Sequence, residues 1–115
     1  MNIDAIQLWE KVKAVALQLP ETHEKPCYGT PALYVGKKLF ARLREDDESL
    51  VLYNDKRDVW MNGNPDVFFI TDHYLHYPML LVHISKVSKG DLEKLLNHSW
   101  KMRAGKKLLK AYDDL

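Results

Sequence analysis

The chain has 115 residues, of which 46% are apolar and 29% charged, and its 17 Lys and Arg against 16 Asp and Glu give a formal net charge of +1. This composition is typical of one globular domain and excludes a disordered chain, which would be poorer in apolar residues. A single cysteine, Cys27, excludes an internal disulfide, and no apolar run approaches the roughly 18 residues that span a bilayer. We therefore expect one cytoplasmic domain over residues 1–115, with no membrane contact.

The first predicted element is an amphipathic helix over residues 3–18. Asn2 is its predicted N-cap, and Pro20 prevents the helix from continuing. Apolar residues recur at intervals of four and three, the spacing of one helical face, at Ala5, Trp9, Val12, Ala16 and Leu19.

A β-hairpin is predicted over residues 32–43, where the helical period changes to alternation. Gly36 supplies the positive φ that a two-residue turn requires. Alternation in the second strand places Leu39, Ala41 and Leu43 on one face and sends the intervening side chains of Phe40, Arg42 and Arg44 to the other.

The segments on either side of this hairpin differ in character. Residues 20–31 contain Pro26, Gly29 and Pro31, so we expect them to be irregular, with at most a short strand around Cys27 and Tyr28. Beyond the hairpin, an acidic turn at residues 45–48 leads into a return strand at 49–53.

The second half of the chain predicts a short helix at 56–62, capped by Asn54 or Asp55, then short strands at 67–70 and 79–84. A loop at 71–78 containing histidine and tyrosine joins these strands. A last helix begins after Ser88, and its buried stripe comprises Leu92, Leu95, Leu96, Ser99 and Met102.

Gly105 is expected to end or kink the last helix. Residues 105–115 are then either the end of that helix or a loose basic tail. The order of elements predicts an α+β fold, in which an antiparallel sheet packs against N- and C-terminal helices.

Several short motifs, in this order and spacing, resemble the MmcQ/YjbR family over about residues 3–107. They are Leu19-Pro20-Glu21, Gly29-Thr30-Pro31, Gly36-Lys37-Lys38-Leu39-Phe40-Ala41, Val67-Phe68-Phe69, Tyr77-Pro78, Leu81-Val82, Leu95-Leu96 and Ser99-Trp100. The resemblance implies a compact fold similar to frataxin and CyaY. It also implies a DNA-binding protein with a "double-wing" motif.

Two basic groups are candidates for contacting DNA phosphates. The hairpin supplies Lys37 and Lys38 from its turn and Arg42 from the following strand. The C-terminal segment supplies Lys101, Arg103, Lys106 and Lys107. Each group also has a purely structural interpretation, as a solvated turn and as cations that favour the end of a helix. The acidic turn at 45–48 opposes phosphate binding unless it faces away or pairs with Arg42 and Arg44.

Other chemistry finds little support. His73 and His76 with Asp72 form a sparse set of metal ligands, and Cys27 has no base at a recognisable spacing. We therefore expect no metal site, no cofactor and no catalytic activity. Three interpretations are open for the aromatic residues: they belong to the core, they stack on bases, or they line a ligand pocket. The residues are Trp60, Trp100, Tyr34, Tyr53, Tyr74 and Tyr77.

The leading hypothesis is non-specific DNA binding without catalysis. The alternative is a module that binds a small molecule or a partner protein in an aromatic-lined pocket. The two basic groups lying on one face would favour DNA, and a deep aromatic pocket would favour a ligand.

Overall fold

The computed structural model describes residues 3–113, and within them the chain forms six β-strands and four α-helices. In chain order they are α1 (Ile3–Ala16), β1 (Thr22–Cys27), β2 (Thr30–Val35), β3 (Lys38–Leu43), β4 (Ser49–Tyr53), α2 (Arg57–Gly63), β5 (Phe68–Phe69), β6 (Met79–His83), α3 (Lys89–Arg103) and α4 (Lys106–Asp113). A 3₁₀ turn at Asp72–Tyr74 lies between β5 and β6.

The strands form one antiparallel sheet in the order β1-β2-β3-β4-β6-β5. Helices α1 and α3 pack together, and α3 contacts β3 and β4. The main core therefore lies between the helices and one face of the sheet. A smaller apolar cluster comprises Val51, Tyr74, Met79 and Leu81. The predicted α+β fold is confirmed.

Helix α1 buries the predicted stripe through Ala5, Trp9, Val12 and Ala16. It ends two residues earlier than predicted, and its chain continues in turns that include a hydrogen bond from Leu19 N to Ala16 O. The proposed cap Asn2 lies outside the described residues.

The hairpin formed by β2 and β3 turns at Gly36, whose φ is +59°, as predicted. Its alternation is interrupted because the register shifts: Leu33 pairs with Ala41, whereas Tyr34 pairs with Leu39. Phe40 is the extra residue of this bulge, and it packs into the main core together with Ala41. The prediction that Phe40 faces away from Ala41 and Leu43 is therefore wrong.

Residues 20–31 are more regular than predicted, because Thr22–Cys27 forms the full edge strand β1. A tight turn with Tyr28 at φ +52° and Gly29 at φ +78° connects it to β2. Pro26 is compatible with an edge strand, where a missing N–H costs no ladder hydrogen bond on the solvent side. The Trp100 indole Nε1 donates a 2.9 Å hydrogen bond to the Pro20 carbonyl, which fixes the approach to β1.

Helix α3 begins as predicted at an N-cap, Ser88, whose hydroxyl accepts a hydrogen bond from the Asp91 N–H. It ends at Arg103, and residues 106–113 form a separate helix rather than a loose tail. Helix α4 packs against the core through partly buried Leu108, Leu109 and Tyr112. None of the helices within residues 3–113 is long and apolar enough to cross a membrane.

Candidate nucleic-acid interface

The turn between β2 and β3 lies against the junction of α3 and α4. The Arg103 Nε donates a 2.8 Å hydrogen bond to the Leu39 carbonyl oxygen. Gly36, Gly105 and Lys107 line one cavity of about 440 Å³ at the same place. The two basic groups that the sequence suggested separately are therefore neighbours. We call Lys37, Lys38, Arg103, Lys106 and Lys107 the basic end.

The lysines of the basic end are exposed. None of Lys37, Lys38, Lys106 and Lys107 forms an ion pair with a carboxylate of residues 3–113. Helix α4 starts here with no acidic residue in its first turn, so its N–H groups add partial positive charge. Glu21 also lines the cavity and offsets one of these charges. The basic end remains positive because its cations outnumber this single acid.

Arg103 has a positioning role within the basic end. Besides its bond to Leu39, its guanidinium lies 4.2 Å from the ring centroid of Tyr53. Lys101 is not part of the basic end, because it lines a different cavity, a cleft on α3 that it shares with Glu93 and His98. Its ammonium group lies 5.4 Å from the Tyr112 ring centroid.

Arg42, which the sequence suggested as a phosphate-contacting residue, is instead buried and has partners within the domain. The residue is 9% exposed, its Nη1 lies 2.9 Å from Glu45 Oε1, and its Nη2 donates a 3.0 Å hydrogen bond to the Tyr74 hydroxyl. Arg44 pairs likewise with Asp46 at 3.2 Å. Both arginines thus pair with carboxylates of the acidic turn, which is one of the two arrangements considered for it.

The acidic turn at residues 45–48 lies far from the basic end. Consecutive hairpins turn at opposite ends of their shared strand, and β3 has six residues, which extend about 20 Å. This is about twice the Debye length at 0.1 M salt. The acidic turn is therefore too distant to cancel the potential at Lys37 and Lys38, and the two hairpin turns do not form one surface.

The loop 71–78 is organised by Arg57, a role that no sequence pattern indicated. The Arg57 guanidinium donates to four backbone carbonyls, at 2.9 Å to Tyr74, 2.7 Å to Leu75, 2.7 Å to Tyr77 and 3.2 Å to Met79. These partners are 17 to 22 residues away, and backbone carbonyls leave no pattern in a sequence. A cavity of about 660 Å³ beside the loop is lined mainly by polar residues, and Tyr77 is its aromatic wall.

The sparse set of metal ligands is not assembled. His73 packs edge-on against Tyr74 and stacks near Tyr77, whereas His76 lines the cavity beside Arg57. Across residues 3–113, no three His, Cys, Asp or Glu side chains are grouped so that they could hold a metal ion. Cys27, at the end of β1, is half-buried.

These features define an α+β domain whose candidate site is a positively charged surface at one end of the sheet. A family model described as YjbR matches residues 17–102, so the chain belongs to the YjbR family. This confirms the resemblance found in the sequence.

The chain is also similar to several known proteins, none of which is described by a function. Uncharacterised proteins of Mycobacterium bovis and Mycobacterium tuberculosis are 40% identical over 48 residues, a match that covers 42% of this chain and 37% of each relative. The crystal structure of Deinococcus radiodurans protein DR2400, with the family domain DUF419, aligns with a TM-score of 0.71 at 20% identity. It covers 92% of this chain and 85% of that chain, so the two share a fold.

Proposed function

We propose that this domain binds nucleic acid without catalysis, by contacting phosphates through the basic end. The observation that carries the proposal is the hydrogen bond between Arg103 and the Leu39 carbonyl, which joins the two basic groups. The resemblance to proteins described as DNA-binding supports the same conclusion.

The chemistry of the basic end predicts a non-specific mode of binding. Lysine ammonium groups act on phosphates as point charges, and neutralising phosphates releases counterions from the nucleic acid. Base-edge reading requires an element that enters a groove. Here the hairpin turn and the α4 N-terminus present lysines on short exposed segments, and neither segment carries an Asn or Gln that would read adenine. We expect a dissociation constant of roughly 10⁻⁴ to 10⁻⁶ M at physiological salt.

Fluorescence anisotropy with a labelled duplex, measured over a series of salt concentrations, tests the proposal. With about four phosphate contacts, the slope of log K against log salt is about −3.6. The variant Lys37→Ala/Lys38→Ala should reduce this slope by up to about two units. Because both lysines are exposed, the free energy of unfolding should change by no more than about 0.5 kcal/mol.

The matched control is Lys86→Ala/Lys89→Ala, which removes the same charge from exposed positions. These lysines follow Ile84, whose N–H donates to the Glu48 carbonyl near the acidic turn, so they lie at the other end of the sheet. The control should leave the salt slope within about 0.5 units of the original, since no phosphate contact is lost. Equal effects of the two double variants, or no binding of either duplex or single-stranded DNA at low salt, would contradict the proposal and favour a ligand-binding or partner-binding module.

A further inference from the structure

One face of the β1–β3 part of the sheet lies opposite the helices and has its own pattern of charge. Alternation along β1 places His23 and Lys25 on this open face and Glu24 on the helix face. The Glu24 carboxylate accepts a 2.6 Å hydrogen bond from Trp9 Nε1 and lies 3.4 Å from Lys13 Nζ. The edge strand β1 therefore places its carboxylate on the helix face and its basic side chains on the open face.

The same face carries a pair of stacked rings. His23 is directly opposite Tyr34 on β2, with ring centroids 5.9 Å apart and planes inclined by 15°. The Lys25 ammonium lies 5.7 Å from the Tyr34 ring centroid. Burial, followed by a hydrogen bond with Cys27, raises the pKa of Tyr34, so its phenol stays neutral and adds no negative charge. The pair is a planar aromatic surface bordered by a cation.

The ring pair adjoins the basic end. Val35 pairs with Lys38, so Tyr34 is one residue from that pairing and, along the strand, about 10 Å or less from Lys37. Among residues 3–113, no acidic side chain of β1, β2 or β3 alternates onto the open face. A nucleic-acid strand whose phosphates contact the basic end can therefore place its bases over these two rings without meeting a carboxylate from β1, β2 or β3.

We propose that the open face at His23 and Tyr34 is a base-stacking platform and that the nucleic acid held at the basic end is single-stranded. The proposal rests on the proposed function for its phosphate contacts. A duplex keeps its base faces stacked internally and offers this surface only its backbone, whereas a single strand also offers unstacked bases. Stacking tolerates any base, since every base has a π-face, and this agrees with non-specific binding.

The test compares an oligothymidylate of about 15 nucleotides, an oligouridylate of the same length and a duplex of the same length, by fluorescence anisotropy over one shared series of salt concentrations. Both single strands should bind more tightly than the duplex.

Tyr34→Leu should weaken single-strand binding about five- to 150-fold, the cost of losing one stacked base. It should leave duplex binding and the salt slope unchanged. Tyr34→Phe, which keeps the ring, should retain single-strand affinity. Tyr77→Leu, at an exposed tyrosine on the loop 71–78, is the matched control and should have no effect.

If Tyr34→Leu fails to fold, His23→Ala at the exposed edge and the NMR shifts of the Tyr34 ring protons in the unaltered protein replace it. Upfield ring shifts on adding oligothymidylate, together with weaker binding by His23→Ala, support the platform. Unshifted ring protons, equal affinity for duplex and single strand, or an unaffected Tyr34→Leu variant overturn it. In those cases a remaining effect of Lys37→Ala/Lys38→Ala preserves the phosphate-binding function. Absence of binding to all three nucleic acids refutes both proposals.

Discussion

The indole Nε1 of Trp9 donates a 2.6 Å hydrogen bond to a carboxylate oxygen of Glu24, which ties helix α1 to the edge strand β1. The Trp9 residue is 2% exposed, so its ring fills the core while its one polar atom reaches a partner. Lys13, one helical turn further on, lies 3.4 Å from the same carboxylate group. The edge strand is therefore held from two directions, by β2 and by α1.

We expect Trp9→Ala to lower the free energy of unfolding by about 3–5 kcal/mol, because it removes a large buried ring and leaves a cavity. Trp9→Phe keeps most of the apolar volume and loses the hydrogen bond, so it should cost about 1–2 kcal/mol. Urea denaturation measures both. An unchanged midpoint for Trp9→Ala would mean that α1 packs through a different face.

Arg57→Ala should destabilise the domain by about 2 kcal/mol or more, because it leaves the carbonyls of the loop without their charged donor. Arg57→Lys keeps the charge but cannot reproduce the planar fork of donors, so it should recover only part of the loss. Amide hydrogen exchange at residues 74–79 provides a local measurement. Protection there that survives Arg57→Ala would show that Tyr74 packing alone fixes the loop.

Periodicity predicted the elements whose energetics are local and repetitive. The stripe of α1, the turn at Gly36 and the Ser88 cap are examples, because each depends on residues within one or two turns. The strand β1 was missed because Pro26 suggested an irregular segment, and only the position at the sheet edge makes this proline acceptable. The bulge at Phe40 likewise depends on a register that alternation within one strand does not encode.

The candidate site was predicted in part. Its lysines were identified from their charge, but their proximity depends on the contact between Arg103 and Leu39, 64 residues apart. Arg42 was placed on the phosphate surface because the partner that buries it, Tyr74, is 32 residues away. The pairing of His23 with Tyr34 was not foreseen, since it requires the strand β1.

Acid should weaken one link between α3 and the β4–α2 connection. His98 Nε2 lies 2.6 Å from Asp55 Oδ1, and this hydrogen bond holds the pKa of Asp55 below its ordinary value. A carboxyl group whose pKa is lower in the folded state stabilises the fold fully above its unfolded pKa, about 3.9, and loses this contribution as the pH falls through the folded value.

The variant Asp55→Asn should therefore melt at a lower temperature than the unaltered protein at neutral pH, and the difference should shrink as the pH falls below about 4. Melting curves over a pH series measure this, with Asp66→Asn, at an exposed position, as the matched control. A difference that stays constant down to the acid limit of folding would contradict the assignment.

Metal analysis of purified, untagged protein should find less than stoichiometric zinc or iron. His73 and His76 face different surroundings, and no cysteine joins them. Near-stoichiometric metal that disappears in His73→Ala/His76→Ala would overturn this expectation.

The indoles of Trp9 and Trp100 come from two different helices and hold residues 24 and 20, on either side of His23. Detaching the edge strand would expose two tryptophans that are otherwise 2% and 0% accessible. Tryptophan fluorescence should therefore report whether β1, the strand that carries His23, is attached to the sheet. Release of β1 should shift the intrinsic tryptophan emission to longer wavelength. The residues of this strand are mostly exposed, so we expect the two indole hydrogen bonds to contribute to keeping it on the sheet.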